Sequence, residues 1–106
     1  MTAEGEDGEA VPIPITGDLD LHPFAAREIP SVVREYLQAC RERGILHVRL
    51  AHGRGRGVQR AVVRRLLASL PEVLSVQDAP PEAGGWGATL AELAPLPQSP
   101  PPPSGD

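Results

Sequence analysis

The chain has 106 residues with one Phe, one Tyr, one Trp and one Cys, so its core must be Leu, Val, Ile and Ala, with no internal disulfide and no cysteine framework for zinc. No apolar run approaches the roughly 20 residues of a membrane helix, and the acidic start (Glu4, Glu6, Asp7, Glu9) is the opposite of a secretory n-region. A cytoplasmic, monomeric chain with no membrane contact is expected.

The net charge of -4 is unevenly spread: residues 1–17 carry four acids and no base, whereas residues 18–93 carry ten Arg against nine acids. No acid falls between Glu42 and Glu72, yet Arg43, Arg49, Arg54, Arg56, Arg60, Arg64 and Arg65 all do. An acidic average thus hides one basic stretch, which points toward a polyanion. Every base is Arg. That suits forked phosphate recognition, though a biased genome composition accounts for it equally well.

Residues 1–14 form an acidic, proline-containing tail, and within it Val11-Pro12-Ile13-Pro14 leads into Ile15 as extended chain suited to a sheet edge. Leu19-Asp20-Leu21-His22 alternates apolar and polar, a half-buried strand that Pro23 breaks. Ile29, Val32, Val33, Tyr36, Leu37 and Cys40 recur at helical spacing, with Pro30 in or near the first turn and Gly44 as the stop. Cys40 lies on that apolar stripe and reads as a buried small hydrophobe.

A second strand fits Val48 and Leu50, which alternate with His47, Arg49 and Ala51. After the glycine-rich turn His52–Gly57, a second helix carries Val58, Val62, Val63, Leu66, Leu67 and Leu70 and stops at Pro71. A third strand fits Val73–Val76 and a fourth Ala88–Leu93, after the loop 80–87. The expected fold is α/β: a two-layer sandwich in βαβαββ order, with a mostly parallel four-stranded sheet and two helices on one face. One domain spans 15–93, and the proline-rich tail 94–106 is expected to stay disordered.

The turn His52-Gly53-Arg54-Gly55-Arg56-Gly57 carries the most chemistry. A glycine-rich turn between a strand end and a helix start lets backbone N–H groups and the helix dipole face an anion. It is neither a Walker loop, since no Gly-Lys-Ser/Thr follows, nor a dinucleotide fingerprint. Arg54 and Arg56 add charge, and Arg60, Arg64 and Arg65 continue it on the helix, so a phosphate-backbone site is favoured over a flexible turn.

His22 and His52 each end a strand, and parallel neighbours would bring both to the carboxyl edge of the sheet. Asp20, two residues before His22, shares its side of the strand. Such a pair beside cations suits acid–base work on a phosphodiester; the plainer alternative is strand-end histidines satisfied by backbone. Trp86 is expected to cover the end of a small core, with stacking on an exposed base as the alternative. No metal site is assigned: the acids are scattered, and Asp20, His22 and His52 make at most a partial ligand set.

Leu19-Asp20-Leu21-His22, then His52-Gly53-Arg54-Gly55, then Gly85-Trp86-Gly87-Ala88-Thr89-Leu90 resemble, in order, the signatures of the Smr (small MutS-related) domain family over about residues 15–93. The chain looks like a stand-alone bacterial member. The resemblance implies the βαβαββ sandwich, nucleic-acid binding and endonuclease activity that nicks DNA or cleaves RNA. By position it implies Asp20, His22 and His52 as catalytic residues. Gly53 and Gly55 fall in its second signature, which the reading above extends to a phosphate site of Gly53, Arg54, Gly55, Arg56, Gly57, Arg60 and Arg64. Many members have Gly after the first His; here Pro23 stiffens that loop. A non-catalytic DNA, RNA or ribonucleoprotein binding module on the same fold is the rival. No cofactor is assigned, and a divalent cation is left open.

Overall fold

Alternation of apolar and polar residues builds the sheet of the computed structural model, which describes residues 13–53 and 57–97. The strands are β1 (Asp18–Asp20), β2 (His47–Ala51), β3 (Val73–Asp78) and β4 (Ala88–Leu93); the helices are α1 (Ile29–Glu42) and α2 (Val58–Ser69). The order along the chain is β1-α1-β2-α2-β3-β4. Leu19, Val48, Leu50, Ala91 and Leu93 point to one side of the sheet and share a core with Ile29, Val33, Tyr36, Leu37 and Cys40 of α1 and Val63, Leu66 and Leu67 of α2. Both helices therefore cover one face. His47, Arg49, Ser75, Gln77, Leu90 and Glu92 line a shallow cavity of about 430 Å³ on the other.

The helices form for local reasons. In α1 the core residues recur three or four positions apart, and Pro30 stands in the first turn, where a missing N–H does no harm. The Tyr36 hydroxyl accepts the backbone N–H of Gly17 at 2.9 Å, which ties the segment before β1 to the helix. In α2 the left-handed Gly57 (φ +77°) begins the helix, with no side chain capping it and no acid in the first turn.

The sheet corrects one expectation. Its order is β1-β2-β4-β3; only β1 and β2 pair in parallel, and β4 runs antiparallel to both β2 and β3. The sheet is mixed and mostly antiparallel rather than mostly parallel. Each βα unit does return the next strand in the same direction, so β1, β2 and β3 all point one way. The short connection 79–87 then turns β4 back, and β4 enters between β2 and β3 instead of extending the edge. Burial explains the choice: Ala88, Thr89, Ala91 and Leu93 are all buried, whereas β3 leaves Leu74 58% exposed. The more buried strand takes the centre.

Two boundaries also shift. The strand expected to reach His22 ends its pairing at Asp20. The start of the C-terminal tail is held on the domain: Arg41 Nε–H donates to the Ala94 carbonyl at 2.8 Å, and the Ala94 N–H donates to Glu72 O at 2.8 Å. Residues 1–12 and 98–106, which include most of both expected tails, lie outside the described residues. Among the described residues no helix is long and apolar enough to cross a membrane.

Candidate functional site

The parallel register places Asp20 beside Ala51, so the ends of β1 and β2 open at the same edge of the sheet. The Leu21 N–H donates to Ala51 O at 2.8 Å and extends the contact one residue further. His22 follows in the β1–α1 connection and His52 in the β2–α2 connection. The two histidines reach opposite situations.

His22 is exposed and paired. Its Nδ1–H donates to Asp20 Oδ1 at 2.6 Å, and its backbone N–H donates to the same oxygen at 3.0 Å. The side chains are 61% (His22) and 65% (Asp20) exposed. The His22 backbone amide, followed by its ring, holds the Asp20 carboxyl below its ordinary value. Asp20 therefore stays ionised near neutrality and fixes the tautomer that leaves Nε2 as the open nitrogen. That nitrogen faces Gly53: a Cβ placed on Gly53 would lie 2.6 Å from it. Gly53 also has φ +84°, so glycine is required twice over, by conformation and by space.

His52 is 5% exposed. Its Nδ1–H donates to the Gly53 carbonyl at 3.0 Å, and its Nε2 accepts the hydroxyl of the buried Thr89 at 2.8 Å. Burial chiefly, with the Arg60 and Arg64 charges, pushes its pKa down, against the Gly53 hydrogen bond and Asp78. Both ring nitrogens are thus occupied in a neutral imidazole that holds the turn in shape. The expectation that both imidazoles emerge at the edge is met by His22 and not by His52. The backbone N–H groups of His52 and Gly53 both donate to Gly87 O, at 3.1 and 2.8 Å, which fastens the turn to the start of β4.

Arg54, Gly55 and Arg56 lie outside the described residues. Gly57 begins α2. Arg60 and Arg64 are present at this edge, but neither is a free cation: Asp78, at the end of β3, takes Arg60 at 2.7 Å and Arg64 at 3.6 Å. Two arginines on one carboxylate leave a single net positive charge. The Arg60 hydrogen bond is the main reason the Asp78 carboxyl is held below its ordinary value. The Arg60 guanidinium lies over Trp86, 5.4 Å from the ring centroid. Trp86 is 43% exposed, so it does not close the core as expected.

Three contributors escape a reading of the sequence. Thr89 sits inside the quoted Gly-Ala-Thr segment but has nothing local to mark it as a partner of His52. Asp78 could have been found as the sole acid between Glu72 and Glu82, opposite a run of arginines. The Gln59 amide, which donates to Phe24 O at 3.1 Å and joins α2 to the His22 connection, carries no pattern at all. Among the described residues no group of three His, Cys, Asp or Glu side chains is placed to hold a metal ion; Asp18 is paired with Arg49 and Asp20 with His22.

Comparison with known proteins places this geometry. The Smr domain family model matches residues 19–94. The endonuclease MutS2 of Thermus thermophilus is 36% identical over 78 residues, 74% of this chain. That of Halalkalibacterium halodurans is 34% identical over 92 residues, 87% of the chain. The chain spans only 10–11% of the length of these relatives. The crystal structure of the Smr domain of Thermus thermophilus MutS2 superposes with a TM-score of 0.72 at 35% identity, covering 76% of this chain and all of that one. That of YdaL, a stand-alone small MutS-related protein from Escherichia coli, does so with a TM-score of 0.69 at 27% identity, over 74% of this chain and 64% of that one. In sequence and in fold, the chain belongs to the Smr domain family.

Proposed function

We propose that the protein is an endonuclease that hydrolyses phosphodiester bonds in DNA or RNA. The observation that carries this reading is the exposed Asp20–His22 pair, whose open nitrogen faces the glycine turn leading to α2. Its similarity to MutS2 endonucleases supports the substrate class. In this mechanism the turn Gly53–Gly57 and the uncapped N-terminus of α2 receive the phosphate. Arg54, Arg56 and the residual charge of the Arg60–Arg64–Asp78 cluster balance its developing negative charge. His22 Nε2 takes a proton from the attacking water as its oxygen bonds to phosphorus. The P–O bond to the leaving strand breaks with its oxygen protonated from solvent, and the Asp20 carboxylate stabilises the imidazolium that forms. His52 positions Gly53 and takes no proton.

A second reading is favoured by one observation: with His52 enclosed, His22 is the single histidine offered to solvent at this edge. A non-catalytic nucleic-acid binding module needs no more than that. Incubating supercoiled plasmid and labelled RNA with the wild type, His22→Ala and Asp20→Asn separates the two. An endonuclease loses roughly 100- to 10,000-fold in rate with His22→Ala, and less with Asp20→Asn, which keeps the base but loses its counter-charge. Equal background cleavage by all three proteins overturns the enzymatic reading in favour of the binding module.

A further inference from the structure

Of the three aromatic residues, Tyr36 is buried in the core and Phe24 packs against it. Trp86 alone is left outside, 43% exposed. Its backbone and its ring nonetheless have partners in the fold. It sits on the 3-10 turn Gly85–Gly87, and the Gly87 carbonyl accepts the N–H groups of both His52 and Gly53. Arg60 lies over the ring, and Asp78 fixes Arg60 in turn. Trp86 Cζ3 lies 3.8 Å from the position a Cβ on Gly57 would occupy. The proposed phosphate-binding turn is therefore flanked by two different groups: the His22 imidazole against Gly53, and the Trp86 indole beside Gly57. The Arg60 Nε–H, at the ring, is buried and has no hydrogen-bond partner among the described residues.

We propose that Trp86 is a stacking platform for an unpaired base adjacent to a phosphate received at the N-terminus of α2, with Arg60 supporting the ring. This rests on the endonuclease reading above and specifies its substrate class: a strand whose base beside the scissile phosphate is free of a partner. An indole offers its face to any base, so the selection is for unpaired structure rather than for sequence. A fully paired duplex keeps its bases stacked on one another and cannot supply one without opening. The ring is preorganised by Arg60 and by the tied turn, so little side-chain order is lost when a base stacks on it.

Because Trp86 is the sole tryptophan, its fluorescence reports the contact directly. The experiment titrates the full chain, carrying His22→Ala so that the strand stays intact, with a short single-stranded oligonucleotide and with a duplex of the same length. Stacking predicts quenching by the single strand, less by a strand of abasic sites, and little by the duplex. Affinity for the single strand, read by anisotropy of the labelled oligonucleotide, should fall roughly 10-fold with Trp86→Ala and far less with Trp86→Phe. Tight single-strand binding without quenching, or with unchanged affinity in Trp86→Ala, overturns the platform and leaves the endonuclease reading standing. Equal quenching and affinity with the duplex overturns the preference for unpaired bases. Failure to bind either nucleic acid overturns both readings.

Discussion

At the scale of single residues, Gly53 and His52 decide the geometry around His22. A methyl group on Gly53 would meet the His22 ring at 2.6 Å and would force φ +84° on a residue that has a Cβ. Gly53→Ala is expected to cost about 1–3 kcal/mol of stability from the backbone alone. It should also displace the imidazole, so cleavage should fall by more than stability does. Thermal melting beside the nicking assay checks this, and a fully active Gly53→Ala would mean that His22 does not work against the turn. His52 makes an opposite, pH-dependent contribution. Its folded pKa lies below the ordinary value of 6.5 because it is buried. The unfolded chain therefore takes up its proton first as pH falls, and folded stability is complete above about pH 6.5 and declines below it. His52→Gln removes that titration. Melting temperature measured between about pH 8 and pH 5 should fall more steeply in the wild type than in His52→Gln; parallel curves would show that His52 is not held neutral.

Helix α2 and strand β4 carry the argument at the scale of elements. Leu66 lies 6% exposed on the apolar side of α2, whereas Val58, in its first turn, is 57% exposed. Leu66→Ala is expected to cost about 2–5 kcal/mol, a large share of a small domain's stability, while Val58→Ala should stay within about 0.5 kcal/mol of the parent. Chemical denaturation distinguishes them, and equal values would contradict the helix register. Beside that apolar stripe, on the part-buried flank of α2, Arg60 and Arg64 reach Asp78 at the end of β3. Those arginines therefore anchor the helix to the sheet as well as contributing field to the site. The ion pairs are partly exposed, and exposed pairs contribute little to stability, so the packing of Leu66 and Leu67 sets the position of α2. β4 does comparable work from the middle of the sheet: Gly87, just before it, anchors the turn that β2 ends in, and Thr89, its second residue, holds His52.

Across the whole molecule, a chain of net charge -4 concentrates its arginines between residues 43 and 65. Arg60 and Arg64 share Asp78, so the least neutralised charge at the turn is expected from Arg54 and Arg56. Replacing both with Ala should leave melting nearly unchanged if they serve binding rather than folding. The slope of log affinity for nucleic acid against log salt should flatten by roughly one to two units. An unchanged slope in the folded double mutant would shift the contact surface to α2 itself. The sequence by itself determined the elements, because core burial on helices and strands leaves a period of 3.6 or 2 that can be counted residue by residue. It also determined which residues gather at the edge, since Asp20, His22, Gly53 and Gly57 stand beside the ends of elements whose order is linear. The tertiary structure alone decided that β4 enters the sheet centre, and that of two strand-end histidines one is exposed and one enclosed. The enclosure of His52 depends on Thr89, 37 positions away, and the neutralisation of Arg60 on Asp78, 18 positions away. Burial and pairing are set by neighbours that meet only when the sheet closes, and no local pattern encodes them.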